Sequence, residues 1–193
     1  MPEYIPSNPK AREHEYNVHD FCALMDDICT YLTEGAIVHE RSALYMYDYG
    51  LRGFGRLHEY NAKCDFNEKL CLEKLLVDRL DHIPMYDATS VAKALSYTIA
   101  NGQLKESLKW YINREKEFEK LLVHAVAMAA KYDTAVYKKL LHILSDVQEE
   151  IFRVKEIYKR LEAGQWAAHD LMTVSAEIHK HFESKSDMDM TLS

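Results

Sequence analysis

The chain is poor in the residues that break regular structure. Its 193 residues include only 6 glycines and 4 prolines. Those ten are about 5% of the chain, against roughly 12% in average soluble proteins. Three prolines stand at positions 2, 6 and 9, so from residue 10 onward Pro84 is alone. A many-stranded fold needs turn residues about every 8–12 positions. This shortage excludes a β-sandwich, a β-barrel and a standard α/β sheet, and leaves an all-α protein with few breaks.

Other absences narrow the class further. No run of 18 apolar residues occurs, so no transmembrane helix is expected and membranes are excluded as partners. Residues 1–17 lack an apolar signal-like core, which makes a cytoplasmic protein the default expectation. The net charge of −7 speaks against nucleic acid and is compatible with metal cations. The four cysteines, Cys22, Cys29, Cys64 and Cys71, form two pairs spaced by seven residues. Seven residues is about 10.5 Å of helical rise, too far for two thiolates to share one metal. They read as small buried hydrophobes. A Cys29–Cys71 contact across two helices is the alternative.

What is present is helical periodicity in one domain. Residues 1–17 read as a flexible arm, 18–183 as the folded unit and 184–193 as a frayed tail. Over 18–49, Phe21, Met25, Ile28, Leu32, Ala36, His39, Ala43 and Met46 recur at spacings of three or four. Leu24, Tyr31, Val38, Tyr45 and Tyr49 add a second stripe, which a subunit contact would cover. A second helix over 52–81 carries Phe54, Leu57, Cys64, Glu68, Cys71 (or Leu72) and Leu75, and stops before Pro84. Residues 83–102 form a long connection with a short helical piece at 89–97. A third helix over 104–131 presents Leu108, Ile112, Glu115, Phe118, Leu122 and Ala125. Asp133 caps a fourth, over 134–162, with Val136, Leu140, Ile143, Val147, Glu150, Val154, Ile157 and Leu161. A short fifth helix covers 168–183. Two helical hairpins joined by a long crossover form a four-helix bundle of the ferritin-like kind.

Acids do not sit on apolar stripes without cause, because a buried charge is costly unless paired or bound to a metal. Glu68, Glu115 and Glu150 do so, and Asp65 lies one turn before Glu68. On the first helix, Glu34 is at a matching height and His39 is on the inner stripe. Dinuclear iron or manganese centres in bundles draw one carboxylate from each of two helices and a Glu-x-x-His pair from each of the other two. Glu34, His39, Asp65, Glu68, Glu115 and Glu150 are therefore the candidate metal ligands. Tyr45, Tyr47 and Tyr49 read as aromatic packing, with electron donation to an oxidising centre as the alternative.

Gly50-Leu-Arg-Gly-Phe54 resembles the turn and second-helix start of bacterial non-haem ferritins. Tyr132-Asp133-Thr-Ala-Val-Tyr137 is similar to their turn between the third and fourth helices. The resemblance covers about residues 20–183. It puts the family's Glu-x-x-His positions on Asp65 and Glu68, and the fourth-helix ligands on Val147 and Glu150. The first-helix glutamate position falls on Leu32, and the third-helix one on Arg114 or Glu115. No Glu-x-x-His occurs in the chain. The resemblance implies Fe(II) oxidation at a dinuclear iron site and iron storage in a homo-oligomeric shell. The departures keep two alternatives open: a ferritin-like structural or interaction protein that has lost its metal centre, and a small diiron oxygenase.

Overall fold

A computed structural model of the chain describes the backbone of residues 9–99 and 103–189, and the side chains of 18–99 and 103–182. The described residues form six helices and no strand: α1 (Pro9–Asp48), α2 (Arg52–Leu80), α3 (Ala88–Leu95), α4 (Leu104–Ala129), α5 (Thr134–Ala163) and α6 (Ala168–Asp189). The all-α expectation holds. No helix among the described residues is long and apolar enough to cross a membrane.

The helix ends follow local chemistry. α1 begins at Pro9, nine residues before the expected start; proline's fixed φ suits a first helical turn. The expected arm is thus helical over 9–17, and residues 1–8 lie outside the described residues. α6 continues to Asp189, past the expected start of a frayed tail, while 190–193 are outside. So are residues 100–102, at the end of the connection expected over 83–102. Asp133 caps α5 by accepting from the N–H groups of Ala135 and Val136, and its other oxygen pairs with Arg79 at the end of α2.

α1 packs on α2 and α4, and α5 packs on α4 and α2, so each long helix touches two others. The connection between α2 and α4 runs along α1. Asp26 accepts from the Met85 N–H and Thr30 from the Asp87 N–H; further along, Arg41 donates to the Tyr97 carbonyl and Tyr49 to the Ile99 carbonyl. Residues 26 to 49 of a helix span ~35 Å. The crossover thus carries the chain from near the middle of α1 to its C-terminal end before α4 starts.

α6 closes on the α2 side. A Cβ at Gly53 would stand 1.7 Å from the Ser175 carbonyl oxygen, so only glycine permits this approach. The Gly53 N–H donates to Ser175 Oγ in return.

The apolar core is in two parts. One gathers Phe21, Ile28, Leu32, Leu72, Phe118 and Leu140 with their neighbours. The other gathers Met46, Phe54, Leu108, Tyr111, Val154 and Leu161. Between these segments a set of polar residues enters the interior: His39 from α1 beside Gly35, then His58, Asn61 and Asp65 from α2, then Arg114 and Glu115 from α4. Glu150 enters from α5 at the same level.

The cysteines depart from expectation. Cys29 alone is buried; Cys22 and Cys64 are half-buried and Cys71 is exposed, and all four are free thiols. Tyr49 holds the crossover, and Tyr47 packs where Gly55 leaves space, so these rings do packing work.

Candidate metal centre

Acids on inner stripes imply a polar layer, and it divides into two unlike sides. On the α1–α4 side the layer is closed. Arg114 donates through Nη1 to Glu115 and through Nη2 to the Tyr31 carbonyl at 2.7 Å. Its guanidinium lies 4.3 Å from the centre of the Tyr31 ring, and the Tyr31 hydroxyl donates to the Arg114 carbonyl. Burial lifts the Glu115 carboxyl above its usual range, and Arg114 opposes that rise. Gly35 makes the arrangement possible. A Cβ there would be 2.1 Å from Asp65 Oδ2 and 2.9 Å from Arg114 Nη2.

On the α2–α5 side the layer opens into a pocket of about 240 Å³. α2 contributes Asp65 and Glu68, and α5 contributes Asp146, Glu149 and Glu150, with Arg153 at the edge. Five carboxyl groups thus share one cavity. Burial pushes the Asp65 carboxyl well above its usual range; Glu115 adds to the rise, Arg114 opposes it, and Glu150 and Glu68 add further. Burial also raises Glu150, to about 8. At Asp65 and Glu150 burial outweighs the nearby positive charge.

Behind Glu150 lie two buried histidines. His39 Nε2 is 4.0 Å from Glu150 Oε1, and that oxygen is buried without a hydrogen-bond partner. His39 Nδ1 is 2.9 Å from His58 Nδ1, so one ring donates and the other accepts. Burial depresses both: His39 falls well below its usual value, with His58 and Arg114 adding to the fall, and His58 drops to about 4. Both rings are neutral near pH 7. With the proton on His39 Nδ1, its Nε2 lone pair faces Glu150. That is the arrangement in which a histidine ligand donates its other N–H to a neighbour. Tyr111 packs edge-on against His39, and its hydroxyl accepts from Asn61.

The six expected ligands therefore separate. Asp65, Glu68 and Glu150 line one pocket, with His39 directly behind Glu150. Glu115 is buried but engaged by Arg114. Glu34 lines a different cleft with Val38, Lys93 and Trp110. It shares the height of Asp65 but not its face. His58, Asn61, Tyr111, His142 and Asp146 were not expected. For His58 and Asn61 a signal existed: Phe54, His58, Asn61, Asp65, Leu72 and Leu76 form one stripe on α2. Phasing that helix on Cys64 and Cys71 hid it.

Compared with known families and curated proteins, the chain matches no family model and no curated protein.

Proposed function

We propose that the protein is a ferritin-like metal-binding bundle holding a first-row divalent ion, iron by its family resemblance, between Glu150 and His39, with Asp65 in the same pocket as Glu150. The observation that carries this reading is the 4.0 Å gap between His39 Nε2 and the partnerless Glu150 Oε1. One cation with bonds of ~2.1 Å to each bridges such a gap at a wide angle. The donor set fits as well: imidazole and carboxylate together suit Fe(II), Mn(II) or Zn(II). The bound cation would supply the charge that Asp65 and Glu150 lack. Four long helices with a crossover along α1 support the ferritin-like bundle. Iron oxidation and storage in a homo-oligomeric shell is the activity that goes with that resemblance.

A second reading has its own support. Arg114 and Lys139 place two cations of the protein among the carboxylates, Lys139 directly against Glu68. Leu32 and Val147, at two ligand positions of the resemblance, line the same pocket. Both features suit a ferritin-like structural protein without a metal centre.

The test is iron per subunit and native mass after anaerobic Fe(II) loading, for the wild type and Glu150→Gln. We expect a large closed assembly in which the wild type holds about one more iron per subunit than Glu150→Gln. Equal iron in both would sink the metal reading and favour the second. A monomer or dimer would sink the shell.

A further inference from the structure

Nearer solvent, the same pocket carries a second set of donors that the inner centre does not use. Glu68 comes from α2, while His142 and Asp146 come from successive turns of α5. One donor atom from each lies within 4.8 Å of the other two. His142 Nδ1 stands 2.8 Å from Asp146 Oδ2. Their side chains are 62% and 53% exposed, whereas that of Glu68 is only 17% exposed.

We propose that Glu68, His142 and Asp146 form an outer site for a borderline divalent transition ion, filled from solution independently of the inner centre. Ligand chemistry sets the class of ion. Hard cations such as Ca(II) and Mg(II) favour all-oxygen sets, whereas an imidazole with two carboxylates suits Zn(II), Co(II) and Fe(II). Three protein ligands leave the remaining coordination positions to water. A further observation points to a cation: the Lys139 ammonium already rests against Glu68, so a positive charge occupies part of the site. An arriving ion displaces Lys139 from Glu68. Because Glu150 lines the same cavity as the outer set, an ion there lies between solvent and Glu150.

The probe is Co(II), added to chelator-treated full-length protein and followed by visible absorption and calorimetry. His142→Ala should weaken the outer site about tenfold or more, since even second-shell losses cost 10–100-fold in affinity. Lys139→Met should tighten it by removing the competing ammonium. Glu150→Gln should leave it unchanged, and this arm separates the outer site from the inner one. In that background, Co(II) should broaden the His142 ring signals in proton NMR. His142 and Asp146 are exposed, so their variants should keep the wild-type melting temperature. In the Glu150→Gln background, Co(II) binding that survives both His142→Ala and Asp146→Asn would overturn the proposal. So would an unbroadened His142 signal at saturating Co(II).

Discussion

The two sides of the polar layer treat buried charge in opposite ways. On the α1–α4 side, Arg114 supplies the countercharge itself and is fixed by Glu115, Tyr31 and the space above Gly35. On the α2–α5 side, Asp65 and Glu150 are nearly as deep but face a cavity, and Glu150 Oε1 has no partner. The first side is complete without anything from solution. The second holds its acids protonated, or waits for a cation. A buried ion pair contributes little net stability against an apolar replacement, yet it is costly to half-remove. An unpaired carboxyl behaves the other way, since neutralising it removes a penalty.

That contrast can be broken from either side. The largest effect should come from Arg114→Met, which strands Glu115 in the core. We expect a loss of ~3–5 kcal/mol in urea unfolding, largely recovered in the double variant Arg114→Met/Glu115→Leu. If the single variant costs less than about 1 kcal/mol, the closed side is not held by its ion pair.

Glu150→Gln should act in the opposite direction on the metal-free protein. The Glu150 carboxyl rises from 4.5 to about 8 on folding, so the folded state binds more protons in that window. Its contribution to stability is highest below pH 4.5 and falls as pH rises to about 8. Burial of Asp65 adds a slope of the same sign. The depressed histidines oppose it: His58 costs stability as pH falls from 6.5 to about 4, and His39 adds a loss of the same sign. The difference between wild type and Glu150→Gln isolates the carboxyl. It should be near zero at pH 4.5 and favour the variant by on the order of 4 kcal/mol at pH 8. A flat difference across that range would show that Glu150 is solvated.

Gly35→Ala comes next. Its methyl group must displace Asp65 or Arg114, at about 1–3 kcal/mol, read by thermal unfolding. Unchanged stability would mean that both side chains move aside freely. The smallest effect belongs to Tyr31→Phe. It keeps the ring beneath the guanidinium and loses only the bond to the Arg114 carbonyl, about 1 kcal/mol. A much larger loss would make the hydroxyl, not the ring, the support of Arg114.

The closed side was the more legible in sequence. Glu115 falls in step with Leu108, Ile112 and Phe118, and all four are buried. That its neighbour Arg114 pairs with it was not legible, because adjacent residues on a helix do not ordinarily face each other. The open side depends on contacts between helices. Periodicity along α2 cannot show that Glu68 meets Lys139, or that Asn61 reaches Tyr111, 50 residues away. The His142–Asp146 pair has the spacing of any exposed helix pair, and only the approach of α2 gives it a third member. Glu34 shows the limit of matching heights. It neighbours Gly35, the point of closest approach to Asp65, but one residue of helix rotates it by about 100° to another cleft. The helix breaks were readable because Gly50, Pro84 and Asp133 act locally.

The crossover is held by its main chain. Asp26 and Thr30 accept from the amides of Met85 and Asp87, and Arg41 and Tyr49 donate to the carbonyls of Tyr97 and Ile99. Ile83, Met85 and Leu95 stand largely in water, while Ala94 and Ile99 are buried. At the exposed positions of this stretch substitution is therefore cheap, whereas insertion is dear. Exchanging a side chain leaves all four attachments in place. One extra residue between 87 and 97 would carry every later backbone group past the side chain that grips it.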